Sequence, residues 1–200
     1  MKLIIMLSIL LLAGCSPVQE TEPTSKTTPS ISVIQELMLT EQDLLQLGMV
    51  SDNLAQLTEL GLTTTDGTDC HIEESQTDEY SSQAQSGICS YLISRLNYTE
   101  VIIQLQKFTN EAERNGSYQY NSLHFRSSEG LLGENEYGDM SRFYVNNEND
   151  YGAEFNEEDI SYYSLFIAKD EFIIQVHSKG SEEAKGHIAN TGEMILSKFE

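Results

Sequence analysis

Apolar and polar positions alternate along most of this chain in blocks short enough to predict individual elements. Ile31, Val33, Ile34 and Leu37-Met38-Leu39 form an apolar entry, placing the start of a folded domain near Ile31. Thr40-Glu41-Gln42-Asp43-Leu44-Leu45-Gln46-Leu47-Gly48 then predicts a short helix. Thr40 is its N-cap, Glu41 and Asp43 favour the positive helix end, and Gly48 stops it. Leu54, Leu57 and Leu60 before Gly61 suggest a further helical turn. Ile88 to Leu96 reads as a strand. From Tyr98 to about Arg114, the stripe Val101, Ile102, Leu105, Phe108 and Ala112 predicts an amphipathic helix stopped by Asn115-Gly116.

The second half is predicted to be mainly β. Tyr118 to Arg126 and Ser141 to Val145 read as strands, separated by the glycine-punctuated stretch from Gly130 to Gly138. Tyr162 to Ala168 and Glu171 to His177 form a hairpin turning at Lys169-Asp170. A last helix runs from Ser181 or Glu182 to Phe199, with Ile188, Met194, Ile195 and Phe199 on one stripe. The pattern therefore predicts an α+β fold: an antiparallel sheet packed by a central amphipathic helix and a C-terminal helix. No internal repeat is present, and a single domain over residues 31–200 is the economical reading.

What precedes that domain is of another kind. Residues 1–14 are a short cationic start, Met1-Lys2, followed by an apolar run too short to span a bilayer, which needs about 20 residues. The run ends in Leu12-Ala13-Gly14-Cys15, which resembles the lipobox of bacterial and archaeal lipoprotein signal peptides. The resemblance implies that residues 1–14 are removed, that the Cys15 thiol accepts lipid, and that the mature chain is held at the outer face of a cell membrane. Residues 15–30 contain all three prolines, Pro17, Pro23 and Pro29, among Ser and Thr with no apolar period. They read as a disordered tether with a reach near ~20 Å.

Composition narrows the function classes. The formal net charge is −21, becoming −22 once Lys2 leaves with the signal peptide. Such a chain repels nucleic acid and anionic headgroups and favours cations or basic partners, although an acidic coat also serves solubility alone. With Cys15 lipidated, Cys70 and Cys89 remain as an even pair in an oxidising setting, where a disulfide is the default. It would close a loop of roughly 20 residues, worth about 3 kcal/mol in the chain-entropy model. The competing uses are a metal site of Cys70, His71 and Cys89, for which no local spacing supplies a further ligand, or a reactive thiol.

Candidate chemistry is sparse. The stretch from Asn146 to Asp159 is rich in oxygen donors. Taking Asn147 as position 1 places Asn149 at 3, Gly152 at 6 and Glu158 at 12 of a calcium loop. Position 1 should be Asp, however, and Tyr151 stands where an oxygen ligand belongs. The stretch is read first as a solvated acidic loop, with calcium at Asn147, Asn149, Asp150 and Glu158 as the alternative. The acidic run from Asp66 to Glu79 is read the same way. His71, His124, His177 and His187 are scattered, with His124 and His177 in predicted strands that could share a face. Tyr137, Tyr144, Tyr151, Tyr162 and Tyr163 could stack a ligand, but sheet packing accounts for them as well. Asn97-Tyr98-Thr99 and Asn115-Gly116-Ser117 match the glycosylation sequon. No nucleophile elbow, zinc-protease motif or phosphate-cradling glycine loop occurs.

The Leu-Met-Leu-Thr-Glu-Gln-Asp-Leu opening at 37–44, the Cys70/Cys89 pair, the 98–114 segment, Leu132-Gly133-Glu134-Asn135-Glu136-Tyr137-Gly138-Asp139 and the closing hairpin and helix together resemble exported lipoprotein domains of the Mog1/PsbP-like α+β type. That resemblance implies a binding or accessory role and carries over no functional residue. The expectation is a lipid-anchored, non-catalytic binding or sensing module without a cofactor, recognising a protein or small ligand. A structural envelope lipoprotein is the second reading and a hydrolase the third.

Overall fold

The computed structural model describes residues 31–51, 70–74, 83–93, 96, 99–123, 130–146 and 160–200. Within them, eight strands form one antiparallel sheet: β1 (Met49–Ser51), β2 (Cys70–Glu74), β3 (Gln83–Ile93), β4 (Thr99–Phe108), β5 (Gly130–Glu134), β6 (Met140–Asn146), β7 (Ser161–Lys169) and β8 (Phe172–Gly180). Their spatial order is β1-β3-β4-β8-β7-β6-β5. β2 shares an edge of β3 with β1, end to end: β1 pairs Tyr91 to Ile93 and β2 pairs Gln85 to Cys89. Three α-helices pack on this sheet, α1 (Glu41–Leu47), α2 (Glu111–Leu123) and α3 (Glu182–Leu196). The α+β class is as expected.

One face of the sheet is dry. Alternation sends Cys89, Tyr91 and Ile93 of β3, Val101, Ile103 and Leu105 of β4, Phe172, Ile174 and Val176 of β8, and Tyr163, Leu165 and Ile167 of β7 to the same side. Ala184, Ile188 and Ile195 of α3 close over them, with Ile34 and Leu37 from a 3-10 turn and Leu47 of α1. The α1 boundaries match the sequence signals. Asp43 N donates to Thr40 Oγ1 and Thr40 N donates back to Asp43 Oδ2, at 3.2 and 2.8 Å. Gly48 ends the helix at φ 67°. Lys198 Nζ lies 2.8 Å from Asp43 Oδ2 and ties α1 to the chain's end. Burial alone would raise the Asp43 carboxyl, but the hydrogen bonds from Lys198 and Thr40 outweigh it and hold it below the usual carboxylate range.

The middle of the chain departs from expectation. Residues 99–108 are a strand and not a helix, and residues 111–123 are a helix where Tyr118 onward was expected to be a strand. Asn110 starts α2: its side-chain Oδ1 accepts from Glu113 N at 3.0 Å and its backbone O from Arg114 N at 3.2 Å. Asn115-Gly116 stops nothing, because Arg114, Tyr118 and Ser122 recur every four residues and bury one helical stripe. Gly130 to Gly138, expected as a separator, contributes the edge strand β5. The closing hairpin is as expected, with its turn shifted by one residue to Asp170-Glu171. Asp170 takes φ 49°, which a short polar side chain tolerates.

α2 packs on the opposite face over a smaller cluster of Phe108, Tyr144, Phe166, Ala168 and Ile173. It is held largely by polar contacts. Arg114 is 1% exposed, donating to Asp139 Oδ2 at 3.2 Å and Glu111 Oε1 at 3.1 Å. Asp139 also accepts from Lys169 Nζ at 3.1 Å and from Asp170 N at 2.9 Å. These donors outweigh the effect of burial and keep its carboxyl below the ordinary range. Gly138 makes the approach possible. At φ 59°, a Cβ there would stand 2.7 Å from the Ala168 carbonyl oxygen. Arg142 of β6 reaches α2 from below, donating to Gln119 and Ser122 and lying 5.6 Å from the Tyr118 ring centroid. Burial pushes the Tyr118 hydroxyl up to about 12.

Two outcomes are expected. Asp139→Ala strands a buried guanidinium with only the exposed Glu111 and should destabilise by about 3 kcal/mol. Arg114→Met leaves Asp139 with Lys169 and the Asp170 amide, and should cost clearly less; urea denaturation of both variants measures the asymmetry. Gly116 lies mid-helix, and a Cβ added there would meet nothing within 4 Å. Gly116→Ala should therefore raise stability by about 1 kcal/mol on the same assay.

Candidate functional site

The half of the α2-bearing face that extends toward β3 carries polar side chains at strand centres. Ser90 of β3, Glu100, Ile102, Gln104 and Gln106 of β4, Gln175 and His177 of β8, and Ser164 of β7 alternate with core residues and so share this face. The register brings distant residues opposite one another: Ser90 with Ile102, Ile102 with His177, His177 with Ser164, and Gln104 with Gln175.

These groups form a hydrogen-bonded array. His177 Nδ1 and Ser164 Oγ are 2.9 Å apart, and the Phe166 ring meets the imidazole edge-on at 5.6 Å between centroids. Ser90 Oγ donates to Glu100 Oε1 at 3.1 Å. Gln175 Nε2 donates to Gln106 Oε1 at 3.4 Å, and Gln106 Nε2 donates to Gln83 Oε1 at 3.0 Å, a ladder of amides across three strands. Ser90, Ser164 and Gln175 are each 7% exposed. Amides, hydroxyls, an imidazole and the Glu100 carboxylate offer donors and acceptors together, so the array suits recognition of polar, hydrogen-bonding groups.

The Ser164-His177 pair invites comparison with a hydrolase. Acyl transfer needs, besides a base, backbone or side-chain donors aimed at a developing oxyanion. Ser164 sits in mid-strand between Tyr144 and His177, with ladder pairing on both sides. A strand flanked in this way spends its backbone groups on its neighbours. The geometry supplies a hydrogen-bonded pair without the strained turn that presents a nucleophile.

Cys70 and Cys89 face each other across β2 and β3 with Cα atoms 4.1 Å apart, joined by a disulfide and buried. Cys70 Sγ is 3.3 Å from the Tyr91 hydroxyl. The bond occupies both sulfurs, which removes the metal and reactive-thiol alternatives, and His71 Nε2 lies 2.8 Å from Glu73 Oε1. Cys15, Asn147, Asn149, Asp150 and Glu158 lie outside the described residues, as do His124, Tyr151, Asn97 and the 54–60 segment. Glu73 and Glu74 are the described part of the first acidic run, and both are exposed. The described tyrosines of that set do not gather into one cluster. Tyr163 belongs to the dry core with Tyr137 packed against it, Tyr144 belongs to the α2 cluster, and Tyr162 lies 6.0 Å below Lys179 Nζ. Asn115 lies within α2 with its side-chain oxygen buried.

Sequence reasoning singled out His177 but missed Ser164, Gln106 and Gln175. Reading 98–114 as a helix concealed the alternation Gln104-Leu105-Gln106-Lys107, which was the available signal. Among the described residues, no group of three or more His, Cys, Asp or Glu could hold a metal ion, and no helix is long and apolar enough to cross a membrane.

No protein-family model matches the chain, and no curated protein matches it. Among solved structures, it is similar to the crystal structure of the extracellular domain of PknH from Mycobacterium tuberculosis. The likeness is 10% identity with a TM-score of 0.45, covering 82% of this chain and 94% of that one.

Proposed function

We propose that this chain is an exported lipoprotein, anchored through lipid on Cys15, whose Mog1/PsbP-like domain acts at the extracytoplasmic face as a non-catalytic binding or sensing module. The observation that carries binding is the polar array that runs across β3, β4, β8 and β7. Seven hydrogen-bonding side chains, Gln83, Ser90, Glu100, Gln106, Ser164, Gln175 and His177, occupy one sheet face where apolar residues would pack at lower desolvation cost. Binding sites place a few converging polar groups on a rigid, largely apolar frame, and Ile102 and Phe166 provide that frame here. The ligand class that fits is a polar, hydrogen-bonding molecule or protein surface. The disulfide supports export, since such bonds persist in oxidising compartments. A structural envelope role is the competing reading, favoured by the array's internal hydrogen bonds.

Two experiments test this. In cells fed a clickable fatty acid, the wild-type chain should take up label and sediment with membranes, whereas Cys15→Ser should do neither. Label retained by the variant would remove the anchor from the proposal. The full chain should also gain several degrees of melting temperature from at least one member of a panel of neutral oligosaccharides and short peptides. Gln175→Leu with His177→Leu should abolish that shift. A panel that leaves the wild type unmoved favours the structural reading.

A further inference from the structure

The sheet has two ends of different character. At the β1/β2 end, β2 carries His71, Glu73 and Glu74, charged or ionisable groups that discourage pairing with another chain. At the other end stands β5, which pairs only with β6 among the described strands. Among the described residues its outer backbone edge has no strand beside it, and Leu131 and Leu132 are exposed at 52% and 37%. A register shift between Leu131 and Gly133 leaves two consecutive leucines outside the core. Exposed leucines scattered singly need no explanation, but a pair on an open sheet edge is the template for strand addition.

The surrounding charge decides what such an edge would accept. Glu134 and Glu136 come shortly after the leucines, beyond Gly133, and the Glu136 carboxylate oxygens lie within 2.9 Å of where a Gly133 Cβ would stand. Arg142, on the neighbouring strand β6, is already paired with Glu134 at 3.0 Å. The whole chain carries a net charge of −21, so a second copy brings repulsion to this edge, whereas a basic segment gains attraction.

We propose that the outer edge of β5 is a docking strand for an extended, basic segment of a partner protein, in which apolar residues alternate with lysine or arginine. The partner adds as a further strand to the sheet. Its main chain pairs with β5, its apolar residues meet Leu131 and Leu132, and its cations meet Glu136, since Glu134 is already held by Arg142. This surface is separate from the Ser164-His177 array, so the inference goes beyond the ligand-binding proposal and stands or falls independently of it.

The test uses the full chain in detergent and two synthetic probes, an alternating Lys-Val peptide and its Glu-Val counterpart. The Lys-Val peptide should bind by fluorescence anisotropy, weaken as salt rises, and slow amide hydrogen exchange at residues 131–134. The Glu-Val peptide should not bind. Leu131→Lys with Leu132→Lys, on exposed sites and checked for an unchanged melting temperature, should weaken binding at least about tenfold. Gln175→Leu with His177→Leu should leave it intact. The proposal is overturned by no binding of the Lys-Val peptide, by equal binding of both peptides, or by protection away from β5. It is equally overturned if sedimentation finds a dimer that the β5 variant dissolves, since the occupant would then be a second copy.

Discussion

The pairing of β4 with β8 holds this molecule together. Residues 101–107 run antiparallel to 172–178, and through them the half-sheet of β1 to β4 joins the half-sheet of β5 to β8. Each half alone would be a few strands with an incomplete core, because α3 closes a face that needs Val101, Ile103 and Leu105 from one half and Leu165, Ile174 and Val176 from the other. Residues about seventy positions apart must meet before either face exists. The same pairing fixes the register by alternation: a slip of one residue would bring Gln104 and Gln106 into the dry core and turn Ile103 and Leu105 outward.

That dependence explains which parts were legible in the sequence. The Tyr162 to His177 hairpin is local, both strands are rich in β-branched and aromatic residues, and a two-residue turn specifies the pairing. α1 was legible because Thr40, Asp43 and Gly48 act within a short local span. Residues 101–108 satisfied two periods at once. Val101, Ile102, Leu105 and Phe108 fit a helical stripe, and Val101, Ile103 and Leu105 fit a strand. The strand prevails because three consecutive β-branched residues are stiff in a helix and pack well on a pleated surface, and because β3 and β8 are both available as neighbours. Once β4 was misread, the helix that follows it was displaced as well. The polar array could not be read in advance, because it consists entirely of cross-strand partners from four strands.

The two faces also differ in how firmly their helices are held. α3 buries Ala184, Ile188 and Ile195 in apolar surroundings. α2 buries an arginine, a tyrosine and a serine, and leaves Arg114 Nε and Asn115 Oδ1 buried without a hydrogen-bond partner among the described residues. Each unsatisfied atom costs on the order of 1–3 kcal/mol of desolvation unless water reaches it. The dry face therefore carries most of the cooperative stability, while α2 rests on the ion pairs around Asp139 and on Arg142.

This division has a consequence for the polar array. Ser164, Gln175 and His177 occupy strands whose opposite faces are locked by the dry core, so their backbone positions are fixed however α2 behaves. Preorganised donors on rigid strands lower the entropic cost of holding a ligand, which is where much of a binding site's affinity is gained or lost. A sheet dry on one face and hydrogen-bonded on the other thus divides its work: the buried face supplies rigidity, and that rigidity holds the cross-strand polar array in one geometry.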